Sequence, residues 1–231
     1  MRKTNIEQLL LHQHNEKYYD INLMQKDVTG GKISKEQIDN IKKKALEDKV
    51  PIVRDDTFEV MKKIILDNNY TSILELGTAV GYSSISMALL NKDIHIDTLE
   101  KNEETYKIAK NNIESMNLSS QINVINKPIE DYIPDKKYDF IFVDAAKAQY
   151  EKYFNQFIDY LKPNGKMFFD NMAFHGLTKD VENIKNRNTR ALVRKINQFR
   201  DNMLNRDGFD IIINDIVGDG YMLVSRRKHG L

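Results

Sequence analysis

Short apolar runs alternate along this chain with longer stretches in which apolar residues recur every three or four positions. Ser72–Leu76, Ile94–Leu99, Ile122–Ile125, Asp139–Val143 and Lys166–Phe169 are the short apolar or β-branched runs. Ser83–Leu90, Glu103–Met116 and Tyr150–Leu161 lie between them with helical spacing. Strands alternating with helices in this way predict βαβ units and a mainly parallel sheet. Ile141-Phe142-Val143 is continuously apolar, as a central strand buried on both faces requires. Near the end, Asp210–Ile213 and Tyr221–Ser225 flank a Gly218-Asp219-Gly220 turn and read as an antiparallel pair closing the sheet edge. Ahead of the first strand the pattern is helical. Thr4–Tyr19 carries Ile6, Leu9 and Leu10, and Ser34 with Gln37 has capping-box spacing before Ile38, Ile41 and Ala45. Asp56–Leu66 follows with Phe58, Met61, Ile64 and Ile65. The expected fold is α/β: a doubly wound, mainly parallel, seven-stranded Rossmann-like sheet preceded by helices. With no repeat or low-complexity linker, residues 1–231 read as one domain with a helical appendage over 1–50.

Composition narrows the chemistry. The 231 residues are 41% hydrophobic and 30% charged, as in ordinary soluble proteins. The absence of cysteine excludes disulfides and thiolate metal sites, so a metal would take oxygen ligands or the five histidines. No apolar stretch approaches the ~20 residues that cross a bilayer. MRKTNIEQLL lacks the apolar run of a secretory signal. A cytoplasmic protein without a membrane partner is therefore expected. The net charge of +1 does not by itself announce a nucleic-acid partner.

Candidate chemistry gathers where the strands end. In doubly wound folds ligands lie beyond the carboxyl ends of the strands, near the switch in strand order. Glu75-Leu76-Gly77-Thr78-Ala79-Val80-Gly81 leaves the first strand there. Gly77 permits close backbone approach, and Gly81 relieves crowding where a helix begins. The spacing differs from the dinucleotide fingerprint and lacks the Lys-Ser/Thr of a P-loop. It suits a cofactor without pyrophosphate, such as S-adenosylmethionine, although a tight turn without ligand would also use such glycines. Glu100 ends the second strand, 23 positions after Gly77, where an acid can accept ribose hydroxyls. Pro128 and Ile129 follow the third strand, where an apolar residue could pack on adenine.

Asp144 ends the fourth strand, and Asp170-Asn171 ends the fifth. Adjacent parallel strands lie about 4.8 Å apart, so two carboxylates and an amide converge at one edge. That partial octahedron suits Mg²⁺ (or Mn²⁺), with positions left for water and substrate oxygens. Taken singly, each of these residues could be an ordinary turn or capping residue. Lys147 lies a turn beyond Asp144; near a dication its ammonium pKa falls, so that it can accept a hydroxyl proton. Between Lys179 and Arg206 stand eight basic and three acidic residues, a surplus of +5, and Arg226-Arg227-Lys228 adds a second cluster. Such patches position nucleic acid through phosphate, though a solvated helix face reads the same way.

With these residues in hand, the chain resembles the cation-dependent O-methyltransferases of the catechol and caffeoyl-CoA type, from about Val50 to Arg227. The likeness rests on Val50-Pro51-Ile52-Val53, ELGTAVGYSS, Glu100, DAAKAQY at Asp144–Tyr150, Asp170-Asn171 and Gly218-Asp219-Gly220. It implies a class I methyltransferase fold and S-adenosylmethionine contacts from Val53, Glu75, Gly77, Ser83, Glu100 and Asp144. It also implies a metal held by Asp144, Asp170 and Asn171, Lys147 as base, and a homodimer. Ala145 and Ala146 between acid and lysine resemble the bacterial branch that methylates wobble 5-hydroxyuridine in tRNA. That likeness implies the anticodon loop as partner, and the charge distribution independently offers Arg190, Arg194, Arg226, Arg227 and Lys228 as RNA contacts. The alternatives are O-methylation of a small catechol or phenol, and a non-catalytic RNA-binding module on the same fold.

Overall fold

The structure, a computed structural model, describes residues 35–227. The Thr4–Tyr19 helix, Ser34 and Lys228 lie outside them. Helices α1 (Lys35–Glu47) and α2 (Asp55–Asp67) come first. Then follow β1 (Ser72–Leu76), α3 (Tyr82–Ala88), β2 (His95–Glu100), α4 (Glu103–Ser115), β3 (Ile122–Asn126) and β4 (Tyr138–Val143). The chain continues through α5 (Tyr150–Phe157), β5 (Leu161–Phe169), α6 (Arg187–Leu204), β6 (Phe209–Asn214) and β7 (Tyr221–Arg226). The seven strands form one sheet in the order β3-β2-β1-β4-β5-β7-β6. β1 to β5 are parallel, and β7 runs antiparallel to both β5 and β6. This is the doubly wound, mainly parallel sheet that the alternating pattern predicts.

The continuous apolar runs arise because both faces of the sheet are covered. Ile73, Ile96, Phe140, Phe142 and Phe168 point to one layer, where Phe58, Met61 and Ile65 of α2 and Ile85 of α3 meet them. Leu74, Leu76, Ile141, Val143, Met167 and Phe169 point to the other, against Phe154 and Phe157 of α5 and Ile196, Phe199 and Met203 of α6. Two helices start on asparagine caps: the side chains of Asn102 and Asn186 accept from the N–H groups of Thr105 and Thr189 at 2.9 and 3.0 Å. Among the described residues no helix is long and apolar enough to cross a membrane.

Two elements differ from their sequence reading, for one reason. The Tyr150–Leu161 helix stops at Phe157 and tightens into a 3₁₀ turn over Ile158–Tyr160. Leu161 already belongs to β5, paired with Tyr138, whereas Phe140 pairs with Lys166. Lys162-Pro163-Asn164-Gly165 is therefore an outward bulge within a longer strand. Pro163 sits in that bulge, where its missing N–H costs no ladder bond. The order of strands reverses between β1 and β4, so the crevice expected to take ligands lies at the carboxyl ends of these two strands and their neighbours.

Candidate active site

The turn after β1 is shaped from beneath. Gly77 has φ +109°, and a Cβ there would stand 2.3 Å from the Asp144 carbonyl oxygen, so the close approach of the turn to the end of β4 demands glycine. The N–H groups of Gly77 and Thr78 donate to the Leu99 carbonyl, tying the turn to β2. Ala79 is also left-handed at φ 47°. Its N–H donates 3.1 Å to Glu100 Oε2, while Glu100 Oε1 accepts from Asn102 N–H at 2.8 Å. Each Glu100 oxygen keeps a lone pair for an outside donor.

Glu75 and Ser83, expected as cofactor contacts, are placed differently from Glu100. Glu75 is fully buried under α3. Its carboxylate accepts from the hydroxyls of Ser83, Ser84 and Thr98, and Thr98 is bonded in turn to Thr78. Burial pushes its pKa up to about 7 against the pull of those three hydroxyls. Glu75 thus organises the turn from below with its own oxygens occupied. Ser84, Thr98 and Thr78 complete a polar cluster that the spacing of glycines does not reveal. The signal available was an acid in the middle of an apolar strand, which must find donors nearby.

Val53 is buried and lines a groove of about 380 Å³ together with Lys42, Leu46 and Asp55. That groove shares no lining residue with the acidic cluster. Pro128 is exposed and Ile129 half-buried at the start of a 3₁₀ turn. They follow Asn126, the β3 partner of Glu100, and so stand beside the turn at the same edge.

Val143 and Phe169 are register partners, which brings Asp144 and Asp170 level on adjacent strands. Asp170 is buried, and its pKa is pushed up to about 7 by burial and then by the charge of Asp144; the Asn171 N–H, 2.7 Å from its Oδ1, and the ammonium of Lys147 oppose this. The Asp144 carboxyl is raised by burial too, with Lys147 pulling it down. Asn171 follows in a left-handed conformation, φ 56°. Among the described residues no three histidine or acidic side chains cluster as a metal site, and Asn171, expected as the third donor, directly follows Asp170 in the chain. The set fits a hard dication: all donors are oxygen, and a positive charge between the two crowded acids would favour their ionised forms.

The basic residues divide between opposite edges of the sheet. β7 is antiparallel, with Met222 opposite Phe169 and Ser225 opposite Lys166, so Arg226 and Arg227 lie at the amino edge, away from Asp170. Arg226 donates to Ile158 O and Asp159, and Arg227 to Asp210 and Phe209 O. The two clusters read from the sequence thus lie apart, and Arg226 and Arg227, expected as RNA contacts, are engaged with Asp159 and Asp210. Arg200 is likewise engaged, bonded to Asp215 and the Met172 carbonyl. Earlier in α6, Asn197 donates 2.9 Å to the Thr178 carbonyl, in the segment that follows β5. Arg194 there is paired with Glu182 at 3.0 Å, but Lys179, Lys185, Arg187, Arg190 and Lys195 have no ion-pair partner among the described residues.

The family model described as O-methyltransferase matches residues 33–227. The chain belongs to the O-methyltransferase family. A caffeoyl-CoA O-methyltransferase of Populus kitakamiensis is 32% identical over 68% of this chain and 71% of its own length. The matched stretch spans about half of several other relatives, such as 48% of caffeoyl-CoA O-methyltransferase 2 of Petunia hybrida, which is 35% identical over 47% of this chain. A Staphylococcus aureus structure provisionally named a caffeoyl-CoA O-methyltransferase superposes on this family member with TM-score 0.79 and 31% identity, covering 96% of this chain and 98% of its own. A Bacillus cereus O-methyltransferase in complex with SAH shares the fold, with TM-score 0.71 and 23% identity over 90% of this chain and 97% of its own.

Proposed function

We propose that this chain transfers the methyl group of S-adenosylmethionine to a hydroxyl oxygen with the help of Mg²⁺ or Mn²⁺, and that the acceptor is wobble 5-hydroxyuridine in tRNA, yielding 5-methoxyuridine. One observation carries the reaction class: two acids level on adjacent strand ends, followed by Asn171, stand beside a glycine turn at the switch point. Gly77 admits the cofactor backbone-close, Glu100 accepts its ribose hydroxyls, and Ile129 packs against its base. Asp144, Asp170 and Asn171 hold the cation. When bound, the dication lowers the pKa of the acceptor hydroxyl, and the sulfonium supplies an electrophilic methyl. Lys147 would take the acceptor hydroxyl's proton, freeing that oxygen for the methyl group that the cofactor would supply. The remaining work is alignment of oxygen, carbon and sulfur.

The RNA acceptor is supported by the open small residues Ala145 and Ala146 beside the acids and by Arg187 and Arg190 at the start of α6, which have no ion-pair partner among the described residues. The second reading, a small catechol or phenol, is favoured by the names of the relatives. Labelled methyl from S-adenosylmethionine should enter tRNA carrying 5-hydroxyuridine, stop with EDTA and resume with Mg²⁺ or Mn²⁺. Label entering catechols alone would sink the RNA acceptor, and transfer indifferent to EDTA would sink the cation.

A further inference from the structure

The segment after β5 holds an unusual run of backbone conformations. Asn171, Phe174 and His175 have φ of 56°, 45° and 58°, and Gly176 follows at 77°. Non-glycine residues seldom adopt the left-handed region, and three of them within five positions persist only where their surroundings hold them. The surroundings are the β6–β7 turn. Gly220 O accepts from Met172 N–H at 2.9 Å, and Asp219 O accepts from Ala173 N–H at 2.8 Å. The Asp219 carboxylate, nearly buried, accepts from the His175 N–H through Oδ1, with His175 Nδ1 3.7 Å from Oδ2. A Cβ on Gly220 would lie 2.6 Å from Ala173 N, so the two segments are in backbone contact. The turn is anchored from behind as well: Gly218 N–H donates 2.9 Å to Asp56 Oδ2 at the start of α2.

We propose that Asp219 is a positioning residue for the metal site: its side chain holds the left-handed run from Asn171 to Gly176 and so fixes the Asn171 amide beside Asp144 and Asp170. The two backbone bonds from the turn fasten Met172 and Ala173. The Asp219 side chain reaches further, to His175 at the far end of the run. Removing it frees the His175 end of the run from the turn, and the strained residues there then relax toward ordinary dihedrals, loosening the hold on Asn171. The bond needs an acceptor oxygen and not a charge, so Asp219→Asn keeps it and Asp219→Ala does not. This role rests on the reading of Asn171 as a cation ligand given above.

Two measurements on the full chain test it. Hydrogen exchange of the metal-free protein should show Met172–Gly176 amides losing protection at least about tenfold in Asp219→Ala and remaining as in the parent in Asp219→Asn. Mn²⁺ titration followed by electron paramagnetic resonance should show at least about tenfold weaker binding in Asp219→Ala. Affinity for S-adenosylmethionine should stay within about threefold, which also shows the variant folded. Asp219→Asn should bind Mn²⁺ within about threefold of the parent. Unchanged exchange in Asp219→Ala, or equal damage in Asp219→Asn, overturns the tether. If exchange changes as expected while the parent itself binds no Mn²⁺, the tether stands and the cation-ligand reading falls.

Discussion

Glu75 is where residue-scale chemistry is most exposed. It lies between Leu74 and Leu76 on a central strand, so its carboxylate is buried wherever the strand pairs. The motif marks it as important, but the acid's direction follows from strand alternation: Glu75 shares a face with Ile73, the face that α3 covers. Ser83, Ser84 and Thr98 then supply its donors. Its folded pKa of about 7 lies above the ordinary value of 4.5. The folded protein therefore holds a proton that the unfolded chain releases between those values. Stability from this group is complete at about pH 4.5 and is lost as pH rises through about 7, on the order of a few kcal/mol. Urea unfolding across that range, in saturating Mg²⁺ so that Asp170 contributes little, should show this decline in the parent. Glu75→Gln should flatten it; an equally steep decline in the variant would place the titrating group elsewhere.

At the scale of elements, α6 and β7 show what a linear sequence conceals. The antiparallel closing pair was legible from two apolar runs and the Gly218-Asp219-Gly220 turn. Its consequence for charge depends on strand direction, because an antiparallel β7 carries Arg226 and Arg227 to the edge opposite Asp170. The Lys179–Arg206 surplus likewise divides once the helix is built, since Arg200 and Arg206 bond inward while Arg187 and Arg190 begin the helix with no ion-pair partner among the described residues. Charge reversal at both Arg187 and Arg190 should thus weaken tRNA binding about tenfold or more at 0.1 M salt. It should also lower the slope of log affinity against log salt by about one for each phosphate no longer neutralised. Reversal at Arg226 and Arg227 should instead lower the melting temperature, by breaking their ion pairs with Asp159 and Asp210, and leave RNA affinity within about twofold. Fluorescence anisotropy with a tRNA transcript, beside a thermal melt, measures both. Equal losses of affinity from the two pairs would argue that RNA wraps the molecule from edge to edge.

For the whole molecule, strand order divides the carboxyl edge into two halves with separate chemistry. β1 and β2 provide Gly77 and Glu100, whereas β4 and β5 provide Asp144 and Asp170. Both halves were readable as residues at strand ends, because parallel strands place their final residues at one edge whatever the order. Their adjacency was not readable, since it depends on β4 inserting beside β1 with Leu76 paired to Val143. The two halves meet through the close backbone approach of Gly77 to Asp144, so each should bind its own ligand when the other is impaired. A ligand at 100 times its dissociation constant stabilises the folded state by about 2.7 kcal/mol, enough for a clear rise in melting temperature. Asp170→Asn removes one anionic donor from the cation set; its thermal shift with Mn²⁺ should largely vanish while that with S-adenosylhomocysteine persists. Glu100→Gln alters an oxygen proposed to accept from the ribose and leaves the acids alone, so the pattern should invert. Loss of both shifts in either variant, with far-ultraviolet circular dichroism unchanged, would mean that cofactor and cation share one indivisible site and that the division by strands is wrong.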